Sequence, residues 1–194
     1  MKKVLICGDS FSADWTVKYP GQGWPNQIAQ LANVTNLSQA GCGEYKIYLQ
    51  LASADLDQYD QIIVSHTSPN RIYTARHPVH HGDALHHNSD LIYTDLEAHV
   101  KTHPKVKPIL DFYQQYFDLD HAAFVHNLIC ERIDRMLAGH RVLHITNLPW
   151  DGLYQFNNML NFGLLNHQRG QMNHYNARAN AEVFDRVWEQ IDVA

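Results

Sequence analysis

Four positions that lie far apart in the chain have the residue types that ester hydrolysis requires. Ser10, which follows an apolar, β-prone run at residues 2–7, offers a hydroxyl nucleophile. His174 can serve as its base, because imidazole titrates near neutral pH. The backbone N–H of Gly41, the side-chain amide of Asn70 and the N–H of Ser10 itself can donate to a developing oxyanion. Together these groups have the chemistry of a nucleophile, a general base and an oxyanion-binding site.

The order of the secondary-structure elements explains how such distant residues can meet. Short apolar runs bounded by turn signals predict strands, and apolar residues at helical spacing predict helices. The strands fall at about residues 2–7, 34–37, 61–65 and 141–145, and the helices at about residues 24–33, 44–56, 109–137 and 176–191. This alternation predicts one α/β domain over residues 1–194 with a mainly parallel sheet. Loops at the carboxyl ends of its strands open on one edge, where ligands bind.

Several segments resemble the motif blocks of the SGNH (GDSL-type) hydrolase family, whose name lists Ser, Gly, Asn and His. They are Gly8-Asp9-Ser10-Phe11-Ser12, Gly23-Trp24-Pro25, Gly41, Asn70 and His174-Tyr175-Asn176. The resemblance covers most of the chain outside residues 74–140. It implies a three-layer α/β/α fold with a flavodoxin-like, mainly parallel sheet. It also implies that Ser10 and His174 are catalytic and that Gly41 and Asn70 form the oxyanion site.

One residue departs from the family pattern at a position that matters for the mechanism. The family has an aspartate three residues before the histidine, and this chain has Gln171. An aspartate orients the imidazole and stabilises the imidazolium, whereas a glutamine amide carries no charge. The site can therefore be a Ser–His dyad, or an atypical triad in which Gln171 or Asp151 is the orienting group. The departure keeps two alternatives open: a catalytically weak or silent SGNH-like binding protein, and an acyltransferase that uses the same serine.

The expected substrate is a small molecule or a glycan that carries a short acyl ester, such as an acetyl ester on a carbohydrate. The sequence shows no obvious long apolar channel for an acyl chain. Three residues near the predicted strand ends are expected to line the substrate pocket: His66, Arg71 and Trp150. The pattern requires no cofactor and no metal ion.

Composition argues against several classes of protein. The formal net charge is −5, and the chain shows no basic stripe of the kind that nucleic-acid surfaces carry. No apolar run reaches membrane-spanning length, and the apolar run before Gly8 is too short for a secretory signal. The three cysteines lack the paired spacing of a disulfide framework or a zinc site. We therefore expect a cytoplasmic protein that binds neither nucleic acid nor membrane.

Histidine is the one unusual component of the sequence. Seven of the 14 histidines fall between residues 77 and 103, in a polar stretch with weak helix and strand signals. Imidazoles can bind zinc or nickel, but metal sites usually stand on a helical or strand scaffold. We therefore expect residues 74–105 to form an irregular insertion near the site or a mobile lid, with its histidines in solvent rather than on a metal ion.

Overall fold

The computed structural model describes residues 1–16, 23–82, 84–163 and 174–192. Its strands are β1 (Lys3–Gly8), β2 (Asn33–Asn36), β3 (Gln61–His66), β4 (Arg71–Ile72), β5 (Leu91–Ile92), β6 (Val142–Thr146) and β7 (Met159–Asn161). Its helices are α1 (Trp24–Ile28), α2 (Glu44–Ala52), α3 (Tyr93–His99), α4 (Lys107–Tyr116), α5 (Leu119–Met136) and α6 (Ala177–Asp192). Short 3₁₀ turns lie at Leu56–Gln58 and Pro104–Val106.

Five of these strands form the central sheet, in the order β2-β1-β3-β6-β7. Every neighbouring pair in this sheet is parallel. When these five strands are counted along the chain, the order is 2-1-3-4-5, which is the arrangement of flavodoxin-like doubly wound sheets. In such a sheet the loops that follow β1 and β3 lie beside each other at the carboxyl edge.

Alternate side chains of β1 face two separate cores, because successive residues of a strand point to opposite sides. Val4 and Ile6 of β1 pack in a cluster with residues of α1 and α6. Leu5 and Cys7 pack in a second cluster with residues of α2 and α5. All four side chains are fully buried. Helices therefore cover both faces of the sheet, and the predicted three-layer α/β/α fold class is confirmed.

The long segment between β3 and β6 contains more regular structure than its sequence indicates. β4 and β5 form a short antiparallel pair, and α3 packs against α4. A third apolar cluster joins these elements through Leu96, Val106, Leu110 and Tyr113. The helical region predicted over residues 109–137, for which the sequence indicates a break near residues 118–120, is two helices that divide there. Asp118 caps the second helix by accepting the N–H of His121 at 2.9 Å. None of the helices in the described ranges is both long and apolar enough to cross a membrane.

Candidate active site

Ser10 lies in the tight turn that follows β1. Gly8 ends this strand where no side chain fits, since a Cβ there would lie 2.3 Å from the hydroxyl oxygen of Ser12 and 2.6 Å from the Cβ of Ser65. The N–H of Ser12 closes the turn by donating to the carbonyl oxygen of Asp9 at 3.1 Å. Ser10 is therefore held on a short, constrained turn at the carboxyl edge of the sheet.

The carboxylate of Asp9 connects this turn to the neighbouring loops. One oxygen accepts the N–H of Phe11 at 3.0 Å, which is the geometry of an Asx turn. The other oxygen accepts the hydroxyl of Thr67 at 2.9 Å and Nη2 of Arg71 at 2.8 Å. Arg71 also donates to the carbonyl oxygen of Cys42 at 2.5 Å. A buried carboxylate needs such partners, and these ones hold the loops after β1, β2 and β3 in a fixed relation.

Gly41, in the loop after β2, has a backbone conformation and a close neighbour that both require glycine. Its φ is +77°, a left-handed value that residues with a Cβ adopt at a cost. A Cβ on Gly41 would lie 2.4 Å from the hydroxyl oxygen of Ser89 and 2.8 Å from its Cβ. The carbonyl oxygen of Gly41 accepts the N–H of Asp90 at 3.0 Å. The residues that precede β5 therefore pack directly on this loop.

One cavity of about 410 Å³ is lined by Ser10, Gly41 and His174 together. The backbone N–H groups of Ser10 and Gly41 have no hydrogen-bond acceptor within the described parts of the chain. Most backbone N–H groups of folded proteins are paired, so two unpaired donors on residues of one cavity are notable. They are available to an oxygen atom of a bound molecule.

His174 reaches this cavity from the segment before α6. Its ring centroid lies 5.2 Å from that of Phe11 and 4.7 Å from that of Trp15. The next residue, Tyr175, is buried and donates its hydroxyl to the side chain of Asn147 at 2.8 Å. Because Asn147 directly follows β6, this bond attaches the His174 segment to the edge of the sheet. The imidazole thus packs against aromatic rings of the turn that carries the candidate nucleophile.

Asn70 is placed differently from the three residues that share the cavity. It is exposed and does not line the cavity, whereas the following residue, Arg71, does. Its backbone N–H donates to the hydroxyl of Ser68 at 3.1 Å. Of the two predicted orienting groups, Asp151 is exposed and outside the cavity lining, and Gln171 lies outside the described residues.

His66 and Trp150, expected to line the substrate pocket, lie in the interior and not in the lining of this cavity. His66 donates from Nδ1 to Oε1 of Glu44 at 2.6 Å, and its Nε2 lies 2.9 Å from Nδ1 of His144. Trp150 donates its indole N–H to the carbonyl oxygen of Tyr154 at 2.6 Å. The rings of Trp150 and His66 pack with their centroids 5.4 Å apart. His66 is therefore held in an interior polar network, and Trp150 packs against it.

Glu44 is the charged centre of this interior network. It begins α2, and its second oxygen accepts the N–H of Thr67 at 3.1 Å. Burial by itself raises the pKa of the Glu44 carboxyl, but the charge of His66 and hydrogen bonds from His126 and His66 hold it well below its ordinary value. Burial and then the charge of His66 lower the pKa of His144 to about 2. His144 is therefore neutral, and its Nδ1 lies within hydrogen-bond distance of Nε2 of His66.

The cavity also has a histidine-rich wall, whereas the sequence predicts that the histidines of residues 74–105 lie in solvent. His80, His86 and His99 line it together with Asp95. Nε2 of His80 lies 3.0 Å from each carboxylate oxygen of Asp95. Burial raises the pKa of Asp95, but the hydrogen bond from His80 and nearby imidazole charges lower it overall. The concentration of histidines was visible in the sequence, but only folding places them beside Ser10.

A second cleft, of about 640 Å³, adjoins this cavity and shares Arg71 and Asp90 with it. Its walls include aromatic side chains that remain well exposed to solvent. These are Tyr45, Tyr73, Phe112 and Tyr116. The surface next to the candidate site is therefore largely aromatic.

Comparisons with known proteins add little beyond this geometry. No family model matches the chain, and no curated protein matches it. Among solved structures, the chain is similar to a protein from Desulfitobacterium hafniense that is described as a lipolytic protein of the G-D-S-L family. The two are 13% identical, the match covers 98% of this chain and 99% of that one, and the TM-score is 0.42. At these values the likeness supports no statement about activity.

Proposed function

We propose that this chain is a serine ester hydrolase of the SGNH type, with Ser10 as nucleophile and His174 as general base. The proposal is carried by one observation: Ser10, Gly41 and His174 come from three distant loops and line one cavity. A nucleophile, a base and backbone donors in a single cavity are the parts that acyl transfer requires. The N–H groups of Ser10 and Gly41, which have no acceptor among the residues that the structure describes, support the assignment of the oxyanion site.

In the proposed mechanism the hydroxyl oxygen of Ser10 attacks the ester carbonyl carbon while His174 takes the hydroxyl proton. The carbonyl oxygen becomes an oxyanion, which accepts hydrogen bonds from the N–H groups of Ser10 and Gly41. When the tetrahedral intermediate collapses, the bond to the alcohol breaks and His174 returns the proton to the leaving oxygen. A water molecule then attacks the acyl-enzyme, again with His174 as base, and releases the carboxylic acid and free Ser10.

The cavity favours a small acyl group on a hydroxyl-rich molecule. Its volume of about 410 Å³ must hold both the acyl group and part of the alcohol. Its wall offers polar groups such as Ser89, Asp90 and Thr94, along with several imidazoles, which can hydrogen bond to hydroxyl groups. We therefore infer an acetyl or similarly short ester on a carbohydrate as the substrate. Asn70 can serve as a third oxyanion donor only if its loop turns toward the cavity, so the mechanism assigns it no necessary step.

The test compares hydrolysis of p-nitrophenyl acetate, p-nitrophenyl octanoate and an O-acetylated sugar by the wild-type protein and its variants. We expect acetyl esters to be preferred and Ser10→Ala or His174→Gln to lower kcat by about 10³-fold or more. Ser53→Ala, at the end of α2 and remote from the cavity lining, is the matched control and should retain activity. A fluorophosphonate probe should label the wild type and not Ser10→Ala. Absence of hydrolysis of every short ester, or hydrolysis that survives Ser10→Ala, would contradict the proposal.

A modified form of the same assay distinguishes ester hydrolysis from acyl transfer to a sugar. An acetyl ester donor is supplied with and without an excess of a free sugar, and both acetate and acetylated sugar are measured. For a hydrolase, acetate remains the main product at every sugar concentration. Acetylated sugar in excess of acetate would instead identify an acyltransferase that uses Ser10.

A further inference from the structure

The peptide group that carries the N–H of Gly41 is held at its carbonyl end by a side chain from a distant segment. The carbonyl oxygen of this peptide, on Ala40, accepts the hydroxyl of Ser89 at 2.9 Å. Within the described parts of the chain, Ser89 is the one donor to this oxygen. Ala40 and Ser89 are both buried, so bulk water does not replace the bond. The direction of the Gly41 N–H, a candidate oxyanion donor, therefore depends on the Ser89 hydroxyl.

The peptide group that carries the N–H of Ser10 has a corresponding bond, but its donor is local. The carbonyl oxygen of this peptide, on Asp9, accepts the N–H of Ser12 at 3.1 Å. That donor belongs to the same tight turn, whereas Ser89 lies in the connection between β4 and β5. Both candidate oxyanion donors thus belong to peptide groups whose carbonyl oxygens are hydrogen bonded, and at Gly41 a separate segment has to supply the bond.

A hydrogen bond to the carbonyl oxygen of a peptide has two effects on the N–H of the same peptide. Because the peptide group is planar, holding its oxygen atom also fixes the direction of its N–H. Because hydrogen bonds in a chain polarise one another, the N–H becomes a stronger donor. An oxyanion site stabilises the transition state when its donors already point to the place where charge develops. The bond from Ser89 supplies both the direction and the polarisation.

The neighbours of Ser89 anchor it to the loop that contains Gly41. Asp90 donates its N–H to the carbonyl oxygen of Gly41 at 3.0 Å, and its Oδ2 accepts the N–H of Gly43 at 2.8 Å. Oδ1 of Asp90 lies 2.9 Å from Nζ of Lys46, and both side chains are buried. Lys46 also donates to the carbonyl oxygen of Ser89 at 3.2 Å. An interior ion pair therefore holds Ser89 against the Gly41 loop.

We propose that Ser89 is a positioning residue for the oxyanion site, acting through the N–H of Gly41. This inference rests on the proposed function, because only a reaction that forms an oxyanion uses that donor. Ser89 exchanges no proton with the substrate in the proposed reaction. The tight contact at Gly41, where a Cβ would lie 2.8 Å from the Cβ of Ser89, belongs to the same arrangement. The histidine-rich segment at residues 74–105 thus contributes to the site through Ser89.

The experiment measures kcat and KM for p-nitrophenyl acetate with the wild type and Ser89→Ala. We expect kcat to fall about 10- to 100-fold, because the donor is no longer held in place, while KM stays within about twofold. Ser53→Ala is the matched control. The Ser53 hydroxyl makes the same kind of bond, to the carbonyl oxygen of Gln50 at 2.7 Å, and Ser53 is outside the cavity lining. Its kcat and KM should equal those of the wild type.

A thionoester substrate distinguishes a weakened oxyanion site from a general distortion of the protein. Sulfur accepts hydrogen bonds more weakly than oxygen, so oxyanion donors favour the oxygen ester. The wild type and Ser53→Ala should hydrolyse p-nitrophenyl acetate faster than the matching thionoacetate, relative to the rates with hydroxide. Ser89→Ala should lose most of this preference. An equal fall in the rates for both esters would overturn the inference, because Ser89 would then act only in folding.

The remaining outcomes distinguish failure of this inference from failure of the proposed function. If the wild type hydrolyses no short ester, both are overturned. If the wild type is active and kcat is unchanged in Ser89→Ala, only the role of Ser89 is overturned. Urea unfolding checks that Ser89→Ala is folded. Ser89→Cys provides a second variant, since its thiol is a weak donor, and it should lower kcat several-fold. A wild-type kcat in Ser89→Cys would also contradict the inference.

Discussion

The indole N–H of Trp15 donates a 2.6 Å hydrogen bond to the carbonyl oxygen of Ser10. The ring of the same tryptophan lies 4.7 Å from the ring of His174. One side chain therefore contacts both the backbone of the proposed nucleophile and the imidazole of the proposed base. An aromatic ring at this distance also stabilises a cation, and His174 becomes a cation during each half of the proposed reaction.

Two substitutions distinguish the contribution of the Trp15 hydrogen bond to activity from the contribution of its aromatic ring. Trp15→Phe removes the N–H and keeps an aromatic face, and we expect a loss of a few-fold in kcat/KM. Trp15→Leu removes both, and we expect about a tenfold loss together with a lower kinetic pKa for the base, because the imidazolium loses an aromatic neighbour. The pH dependence of kcat/KM measures both effects. An unchanged pH profile in Trp15→Leu would show that the ring acts only in packing.

Gly41 should tolerate alanine much less well than Gly152 does. Both have a positive φ, +77° and +72°, so alanine meets a similar backbone cost at each position, about 1 kcal/mol. Only at Gly41 would the Cβ collide, at 2.4 Å from Ser89, whereas no atom lies within 4 Å at Gly152. We therefore expect Gly41→Ala to reduce stability further and to lower esterase activity at least 100-fold, with normal activity in Gly152→Ala. Urea unfolding and ester hydrolysis, measured side by side, check both expectations.

Replacing Glu44 with glutamine should destabilise the protein strongly at neutral pH. The change leaves the buried imidazole of His66 without its charged partner, which we expect to cost about 3 kcal/mol. The folded-state pKa of Glu44 lies below its ordinary value of 4.5, so its contribution is present above pH 4.5 and is lost as the pH falls below it. The difference between wild type and Glu44→Gln in urea unfolding should therefore be larger at pH 7 than at pH 3.

An exposed ion pair serves as the control for Glu44. Lys107 and Asp111 are one turn apart on α4, with their charged atoms 2.6 Å apart and both side chains exposed. Exposed pairs of this kind contribute about 0.5 kcal/mol or less, because water and salt screen them. Asp111→Asn should therefore change the free energy of unfolding only slightly at either pH. A similar effect of Glu44→Gln and Asp111→Asn would refute a special role for the buried pair.

His77 should make the protein less stable as the pH falls through the mildly acidic range. Burial, followed by the charge of His80, lowers the pKa of His77 from 6.5 to about 4. The unfolded chain therefore binds a proton that the folded chain excludes between these two pH values, and stability falls as the pH drops from 6.5 toward 4. The contribution lost is of order 2 kcal/mol. In metal-free buffer, the destabilisation caused by His77→Gln should be larger at pH 7.5 than at pH 4.5, and should not vary in this way for His81→Gln.

Several elements of the fold follow directly from the local sequence. The run Val4–Cys7 is apolar at every position, as expected for a strand buried on both faces, and the structure places two of its residues in each core. The helix beginning at Glu44 follows Gly43 and was predicted from that pattern. β7 and the β4–β5 pair were not predicted, because two- and three-residue strands have too few side chains to show a period.

The sequence also predicts which loops carry the candidate catalytic residues and that these loops lie at one edge of the sheet. Because Ser10, Gly41 and His174 each stand next to a predicted strand or helix end, the alternation of elements was enough to predict that they share one edge. Asn70 stands at such an end too, yet it is exposed and its neighbour Arg71 lines the cavity. A shift of one residue in a loop reverses which side chain faces inward, and loop conformation depends on contacts that are distant in sequence.

The amino-acid sequence is enough to predict the sheet, its layers and the edge at which the candidate site lies, because hydrophobic periodicity and the order of elements are properties of local stretches of the chain. The groups that surround Ser10 depend instead on tertiary contacts, which the structure shows. The structure places His66 in the interior network of Glu44 with Trp150 packed against its ring, and brings His80, His99 and Asp95 into the cavity. These placements depend on packing between segments that are distant in the chain and on the pairing of buried polar atoms, such as Glu44 with His66. Neither leaves a periodic signal in the chain.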